Sequence, residues 1–212
     1  MRVWLLDSVV QSGYPDALLR AAVHTLDDGS GEIVLSVRPF SAHPREWYEN
    51  GVRVETTVMR RWTLNAQDPQ IKASQFVPGV LAYLDKGERQ AHELVFLGPG
   101  GTVAEGSVSN LFAVKAKRIL TPSVSSGILR GVTRGFVIET ARAGGLDVVE
   151  RPLTRHEFYS ADECFMTNTS SEILPVSSMD GRTIGDGRPG PVTRKLAADF
   201  SKAIREALND QD

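Results

Sequence analysis

Short stretches of alternating or continuous apolar residues predict a chain with many short strands. The segment "VRVETTV" (52–58) alternates apolar and polar positions, which is typical of a half-buried strand. The segment "EIVLSV" (32–37) is rich in β-branched residues and predicts another strand. Further strands are predicted at 93–97, 109–115, 118–122, 146–153 and 163–168.

Apolar residues at helical spacing predict helices at 16–26, 79–92, 132–145 and 192–208. The first follows Pro15, which suits an opening helical turn, and stops at the turn-forming "DDGSG". The third is closed by Gly144 and Gly145, since glycine readily takes the left-handed cap conformation. Thr154, with Glu157 three residues later, is a capping box and predicts a further short helix.

The mixed order of these elements indicates an α+β fold, because a regular βαβ alternation is absent. The segment "LNAQDPQ" (64–70) is polar and contains proline, so it is predicted to be a linker. It would join a smaller first lobe, residues 1–63, to a larger second lobe, residues 71–212.

Composition narrows the class of protein. The 212 residues are 41% apolar and 24% charged, as in an ordinary globular protein. The formal net charge of -2 argues against a polybasic surface for nucleic acid or anionic membranes. The single cysteine, Cys164, excludes an internal disulfide and lies in a predicted buried strand. No apolar run reaches the roughly 18 residues of a membrane span, and Asp7 interrupts the apolar start, so a cytoplasmic protein is expected.

Two residues have side chains that suit covalent or acid–base chemistry. Lys72, in "PQIKASQF", has no neighbouring carboxylate in sequence. It is either a surface cation or, if desolvated, a lysine able to form a Schiff base. Glu105, in "GTVAEGSVSNLF", is either a turn cap or a carboxylate that pairs with the protonated ring nitrogen of a cofactor.

Two polar turns could bind anions. "GILRGVTR" (127–134) leads into a predicted helix, whose first N–H groups favour a phosphate, although capping alone also explains it. "TNTSSE" (167–172) is either a turn that satisfies its own backbone or a second anion cradle. A lysine, an acidic partner for a ring nitrogen and two anion-binding turns are together the parts of a pyridoxal 5′-phosphate site.

The spaced pattern "EGSVSNLFAVKAKRILTPSVSSGILRGVTR" (105–134) resembles the signature of the class IV aminotransferases, which are fold-type IV pyridoxal-phosphate enzymes. That family includes branched-chain and D-amino-acid aminotransferases and 4-amino-4-deoxychorismate lyase. The resemblance continues in "IKAS", "VVERPL" and "ADECFMTNTSSEILPV", and covers about residues 50–195. It implies the D-amino-acid aminotransferase-like fold, with two lobes of which the first is truncated.

The resemblance implies a role for individual residues. Lys72 would form the Schiff base and move the proton, and Glu105 would pair with the pyridine nitrogen. Leu129 would pack on the ring face. The backbone amides of one turn, together with Thr169, would bind the phosphate; this turn consists of Gly131, Val132 and Thr133. Ser170 and Ser171 would bind a substrate carboxylate.

The chain departs from the family pattern at two places. Gln75 and Phe76 stand where family members carry Asn-Tyr, whose tyrosine supports the phenolic oxygen of the cofactor. At the front, the register places Trp4 on the phosphate-binding arginine and Met1 on a histidine. Because of these departures, the alternative interpretation is a truncated relative of the family that has no catalytic activity.

The resemblance predicts amino acids and 2-oxo acids as substrates, with aminodeoxychorismate cleavage as the alternative. It also predicts a homodimer and implies no metal. Arg38 and His43 lie near where D-amino-acid aminotransferases hold the substrate carboxylate, but their spacing differs and a surface loop is the other interpretation.

Overall fold

The structure is a computed structural model that describes residues 2–62, 68–73, 77–87 and 90–209. The chain divides into two compact units, Met1–His43 and Pro44–Asp212. The sequence placed the boundary later, at 64–70, of which 64–67 lie outside the described residues. The earlier division follows from the strand Val52–Arg60, which pairs with two strands of the second unit.

The first unit contains a helix, α1 (Arg2–Ser12), and a two-stranded antiparallel hairpin. The hairpin strands are β1 (Ala17–Thr25) and β2 (Gly31–Pro39). The helix predicted at 16–26 is therefore wrong, whereas the strand predicted at 32–37 is confirmed. Cross-strand pairing runs from Ala17 with Pro39 to Thr25 with Gly31, and this pairing outweighs the helical propensity of Ala and Leu.

The second unit is built around one mixed sheet of parallel and antiparallel strands. Its elements in chain order are α2 (Arg45–Asn50), β3 (Val52–Arg60), α3 (Val77–Lys86), β4 (Glu93–Leu97), β5 (Val103–Gly106), β6 (Asn110–Lys115), β7 (Arg118–Thr121), α4 (Val132–Ala143), β8 (Val148–Glu150), α5 (Arg155–Tyr159), β9 (Glu163–Asn168), β10 (Glu172–Met179), β11 (Arg182–Thr183) and α6 (Pro191–Asn209).

Most strand and helix predictions in this unit are confirmed. The capping box is present, since Thr154 Oγ1 accepts a hydrogen bond from the Glu157 amide. α3 ends at Lys86, earlier than the helix predicted over 79–92. The strand β10 and the short helix α2 were not predicted. With helices and strands in this mixed order, the predicted α+β class is confirmed.

The sheet is covered on both faces. Its hydrogen-bonded order is β5-β4-β3-β10-β9-β6-β7-β8, and β11 pairs with β10. Alternate residues of β6 point to opposite sides: Leu111 joins a core cluster with β3, β4 and α5, whereas Phe112 joins a cluster with α4 and α6. Cys164 on β9 is 3% exposed and forms no disulfide, and burial raises the pKa of its thiol. No described helix is long and apolar enough to cross a membrane.

Candidate active site

The carboxylate of Glu105 is the buried centre of the site. Glu105 lies on β5 and is 6% exposed. Its Oε1 lies 2.9 Å from Arg61 Nη2 in a salt bridge. Its Oε2 accepts hydrogen bonds from the Leu129 amide at 3.0 Å and from Asn110 Nδ2 at 3.1 Å. Within the described part of the chain, Oε2 therefore has two donors, whereas Oε1 has one, the Arg61 guanidinium.

The charge state of Glu105 depends on its neighbours. Burial raises its pKa to about 7, because the charged form is poorly solvated there. Arg61, the Leu129 amide and Lys72 lower this pKa, and the nearby Glu93 carboxylate raises it. Near neutral pH the carboxyl is thus divided between its two forms, and a cation beside it would favour the charged one.

The segment 68–73, which carries Lys72, is docked on the loop before α4. Gln70 Nε2 donates to the Ile128 carbonyl at 2.7 Å. Gln70 Oε1 accepts from the Arg130 amide at 3.2 Å. The side chain of Lys72 is exposed, and its ammonium is close enough to Glu105 to lower the pKa of that carboxyl. The side-chain amide of Gln70 thereby anchors the backbone segment that carries Lys72 close to the Glu105 carboxylate.

The loop before α4 brings the helix start against Asn110. Asn110 Nδ2 also donates to the Leu129 carbonyl at 2.9 Å, so one amide links the loop to Glu105. Gly131 is the N-cap of α4, and a Cβ there would lie 2.3 Å from Asn110 Oδ1. Only glycine fits this close approach. The first N–H groups of a helix lack partners within it, which leaves Val132 and Thr133 able to bind an anion.

The turn between β9 and β10 is organised by Asn168. Its Oδ1 accepts from the Ser170 amide at 3.0 Å and from the Ser171 amide at 2.7 Å. These two amides are thus engaged by the turn itself. Thr169 lines a cavity that Glu105 and Lys72 also line, and the buried Thr167 hydroxyl beside it has no hydrogen-bond partner among the described residues.

The predicted cofactor residues line one cavity of about 380 Å³. They are Lys72, Glu105, Leu129, Gly131, Val132, Thr133 and Thr169. An adjoining space of about 130 Å³ shares Lys72, Glu105 and Leu129, and is also lined by Trp62 and Ile71. Neither set of described lining residues includes Ser170 or Ser171.

Several predicted residues belong to the first unit or lie outside the described residues. Arg38 is on β2, and His43 ends the first unit. Trp4 is on α1 and is 63% exposed. Met1, Gln75 and Phe76 lie outside the described residues. Among the described residues, no group of three or more His, Cys, Asp or Glu side chains forms a potential metal site.

The residues present fit pyridoxal 5′-phosphate. Glu105 Oε1 offers an acceptor for a ring N–H, and the start of α4 offers amides for a phosphate. The Thr167 hydroxyl at the cavity wall provides a further polar contact. An elongated ligand with a cationic ring at one end and an anion at the other would satisfy all three groups.

Three residues of this site were not predicted from the sequence. Arg61 contacts Glu105, Asn110 orients it, and Gln70 docks the lysine segment. Asn110 lies within the family signature, but the sequence did not indicate that its side chain hydrogen-bonds to Glu105. Arg61 follows another arginine at the end of an alternating strand, where a surface charge is the ordinary expectation. Gln70 lies in the stretch assigned to a linker.

Comparison with known proteins gives a consistent family. Residues 5–179 match the family model for amino-transferase class IV. The chain is 40% identical over 157 residues to a putative branched-chain-amino-acid aminotransferase of Methanocaldococcus jannaschii, covering 74% of this chain and 54% of that protein. It is 34% identical over 161 residues to a D-alanine aminotransferase of Bacillus licheniformis, covering 76% of this chain and 55% of that protein. The chain thus spans about half the length of these relatives.

A solved structure agrees with this family. It is a Thermotoga maritima protein described as a putative branched-chain amino acid aminotransferase, which superposes with a TM-score of 0.79 at 32% identity. The match covers 91% of this chain and 69% of that one.

A second solved structure is described as a branched-chain amino acid aminotransferase with pyridoxamine 5′-phosphate, from a source abbreviated T.th.. It superposes with a TM-score of 0.88 at 31% identity, and the match covers 94% of this chain and 69% of that one. With the family model matching most of its length, the chain belongs to the class IV aminotransferase family.

Proposed function

We propose that this chain carries the catalytic part of a pyridoxal-phosphate-dependent aminotransferase. The observation that carries the proposal is the shared cavity, where Lys72, Glu105 and the start of α4 meet. Bound pyridoxal 5′-phosphate supplies an electron sink for the amino-acid Cα carbanion. The second of the two solved relatives is described with pyridoxamine 5′-phosphate, the amino form of that cofactor, which supports this choice of ligand.

Each residue then has a distinct task. The amine of Lys72 attaches the cofactor through a Schiff base and carries a proton to and from the substrate Cα. Oε1 of Glu105 accepts the ring N–H. Leu129 packs on the ring face. The amides of Val132 and Thr133, with Thr169, hold the phosphate.

The proposed reaction moves an amino group between an amino acid and a 2-oxo acid. Relatives named as branched-chain-amino-acid aminotransferases support an apolar, branched side chain on the substrate. Ser170, Ser171, Arg38 and His43 remain the proposed contacts for a substrate carboxylate. Asn168 Oδ1 accepts from the amides of Ser170 and Ser171 and from the Ser170 hydroxyl, so this turn would have to rearrange to present these groups to a substrate.

We also propose that the protein is a homodimer that pairs through α3. Val77, Val80, Leu81 and Leu84 form a stripe at helical spacing, and all four are exposed. Val77 is 63% and Leu84 67% exposed, whereas Ala82 on the opposite side is fully buried. An apolar stripe of this kind on a described helix is best covered by a second copy of the chain.

The test of the cofactor assignment is covalent trapping. Purified protein is mixed with pyridoxal phosphate, reduced with borohydride and digested, and the modified peptide is identified by mass spectrometry. We expect the label on Lys72 in the wild type and no label there in Lys72→Ala. Lys202→Ala, which changes an exposed lysine of α6, is the matched control and should label normally. An unlabelled wild type, or equal labelling of Lys72→Ala at another site, contradicts the proposal.

The reaction is then tested with substrates. We expect the loaded protein to transfer the amino group of leucine, isoleucine or valine to 2-oxoglutarate, which gives glutamate and the corresponding branched 2-oxo acid. Release of pyruvate from aminodeoxychorismate without amino transfer would favour the lyase alternative. A labelled Lys72 with neither activity would indicate the silent relative.

A further inference from the structure

Arg61 is held tightly against the buried carboxylate of Glu105. It follows β3 directly, and its amide donates to the Leu97 carbonyl at 3.0 Å. Besides the 2.9 Å salt bridge, Nη2 donates to the Gly106 carbonyl at 3.2 Å. The guanidinium carbon lies 4.5 Å from the ring centroid of Phe96, a cation–π distance. These contacts fix the guanidinium on one side of Oε1.

The charges around Glu105 do not balance. Glu93 on β4 is 6% exposed, and its Oε1 accepts from the Val108 amide at 2.7 Å and from Ser107 Oγ at 3.2 Å. When both carboxyls are ionised, two buried anions share one partly buried cation, Arg61. Lys72 is the further cation that acts on Glu105, and its side chain is exposed. With both carboxyls ionised, the buried groups of the described chain carry one negative charge more than Arg61 offsets; because burial raises the pKa of Glu93, this excess is largest at high pH.

The hydrogen bonds of Glu105 show where that charge would bind. A carboxylate oxygen has about two lone-pair directions. Oε2 uses both, on the Leu129 amide and on Asn110. Oε1 uses one on Arg61. The carboxylate also lines the cavity that contains Lys72, and among the residues that the structure describes the second lone pair of Oε1 has no donor, so it is available to a ligand.

We infer that Arg61 is a positioning residue that favours the ionised form of Glu105 and leaves one lone pair of Oε1 for a cationic ring N–H. The identity of that ring rests on the proposed function. The coupling between Arg61 and Glu105 exists in the protein alone. The groups that face Glu105 are Arg61, Glu93, Lys72, the Leu129 amide and Asn110.

The first test uses the cofactor-free protein. Unfolding by urea is measured from pH 5 to pH 8 for wild type, Arg61→Met and Arg61→Lys. Arg61→Met replaces the guanidinium by an apolar side chain. We expect its stability loss to be larger at pH 8 than at pH 5, because Glu105 is neutral at low pH and has no need of the cation. Arg61→Lys should recover part of the loss at pH 8.

Two controls make this result specific. Arg60→Met removes the adjacent arginine, which is exposed, and should show no such pH dependence. In a Glu105→Gln background the pH dependence caused by Arg61→Met should shrink. An equal loss at pH 5 and pH 8, or an unchanged pH dependence in the Glu105→Gln background, overturns the inference.

The second test measures ligand affinity by tryptophan fluorescence. The probes are pyridoxal phosphate and its 1-deaza analogue, in which a C–H replaces the ring nitrogen. We expect the wild type to prefer the natural ring, and Arg61→Met to reduce that preference about tenfold, since a charge-assisted hydrogen bond becomes an ordinary one. An unchanged ratio overturns the inference.

The two tests separate two failures. If the wild type binds neither probe, the proposed function is wrong, and the urea experiment on the cofactor-free protein still decides the role of Arg61. If the wild type binds both probes equally and the urea profiles of wild type and Arg61→Met run parallel, the role of Arg61 is wrong while cofactor binding stands.

Discussion

At the scale of single residues, Glu105 is the clearest compromise between stability and binding. Its burial favours the neutral acid, while Arg61 and two hydrogen-bond donors favour the carboxylate. In the cofactor-free protein, ionisation of the Glu105 carboxyl therefore lowers the free energy of unfolding. The same group gains a partner when a cation enters the cavity, so the cost is recovered on binding.

This balance predicts a pH-dependent stability for the cofactor-free protein. The pKa of Glu105 is raised from 4.5 to about 7 in the folded state. Its contribution is therefore fully present below the unfolded-state pKa and is lost as the pH rises towards 7. We expect Glu105→Gln to remove this loss, so that its stability relative to wild type increases from pH 5 to pH 8. Urea unfolding across that range measures it, and a constant difference would argue against the raised pKa.

The sequence could identify only part of the site at this scale. Glu105 was proposed as a site residue from the long spaced signature of 105–134, and Lys72 from the resemblance of "IKAS" to the same family. Arg61 and Gln70 act through contacts between segments far apart in sequence: Arg61 reaches Glu105, and Gln70 reaches Ile128 and Arg130. A single sequence does not show which residues far apart in the chain contact each other.

At the scale of elements, the approach of α4 to β6 sets the geometry of the anion-binding turn. Asn110 is fixed by hydrogen bonds to Glu105 and to the Leu129 carbonyl. It cannot easily move away from Gly131. The helix start is thereby held against the strand that carries the asparagine.

We therefore predict opposite effects for two Gly→Ala changes in the same region. Gly131→Ala places a Cβ 2.3 Å from Asn110 Oδ1 and should destabilise the protein by about 1–3 kcal/mol and weaken pyridoxal-phosphate binding. Gly135→Ala, one turn into α4, meets no atom within 4 Å and should stabilise the protein by about 0.5–1 kcal/mol.

Thermal unfolding and a binding titration of both variants check this prediction. Normal cofactor affinity in Gly131→Ala would show that the loop relaxes around the added methyl group. A loss of stability in Gly135→Ala would contradict the open environment of that position.

A strand was predicted correctly where its own pattern of apolar and polar residues was typical of a strand. β3 and β9 were predicted correctly, because their apolar side chains pack against the sheet's covering layers. β1 was mistaken for a helix, because Leu and Ala favour helices until β2 pairs with them. β10 was missed because Pro175 and two serines interrupt its pattern, and it is defined by its pairing with β3 and β9.

At the scale of the whole molecule, the exposed stripe of α3 predicts self-association. Leu81→Lys and Leu84→Lys put charges into an apolar contact, which is costly when buried. We expect the double variant to sediment as a monomer at concentrations where the wild type is a dimer. Ala198→Lys, at an exposed position of α6, should leave the assembly unchanged.

Sedimentation velocity over a range of protein concentrations measures this effect. A wild type that remains monomeric at every concentration removes the proposal that the protein pairs through α3. A double variant that remains dimeric shows that the copies meet elsewhere.

The central place of β10 also governs when the site can form during synthesis. In the described part of the sheet, the hydrogen-bonded path from β3 to β9 passes through β10, where Val52 pairs with Val176. Glu105 lies on the β5 side of this junction and Thr169 follows β9 on the other. A nascent chain still lacking residues 172–179 therefore lacks the strand that hydrogen-bonds to both β3 and β9, although Asn110 on β6 can already contact Glu105 on β5. If the cavity binds the cofactor as proposed, we expect stable capture only after residues 172–179 have been synthesised and paired with β3 and β9.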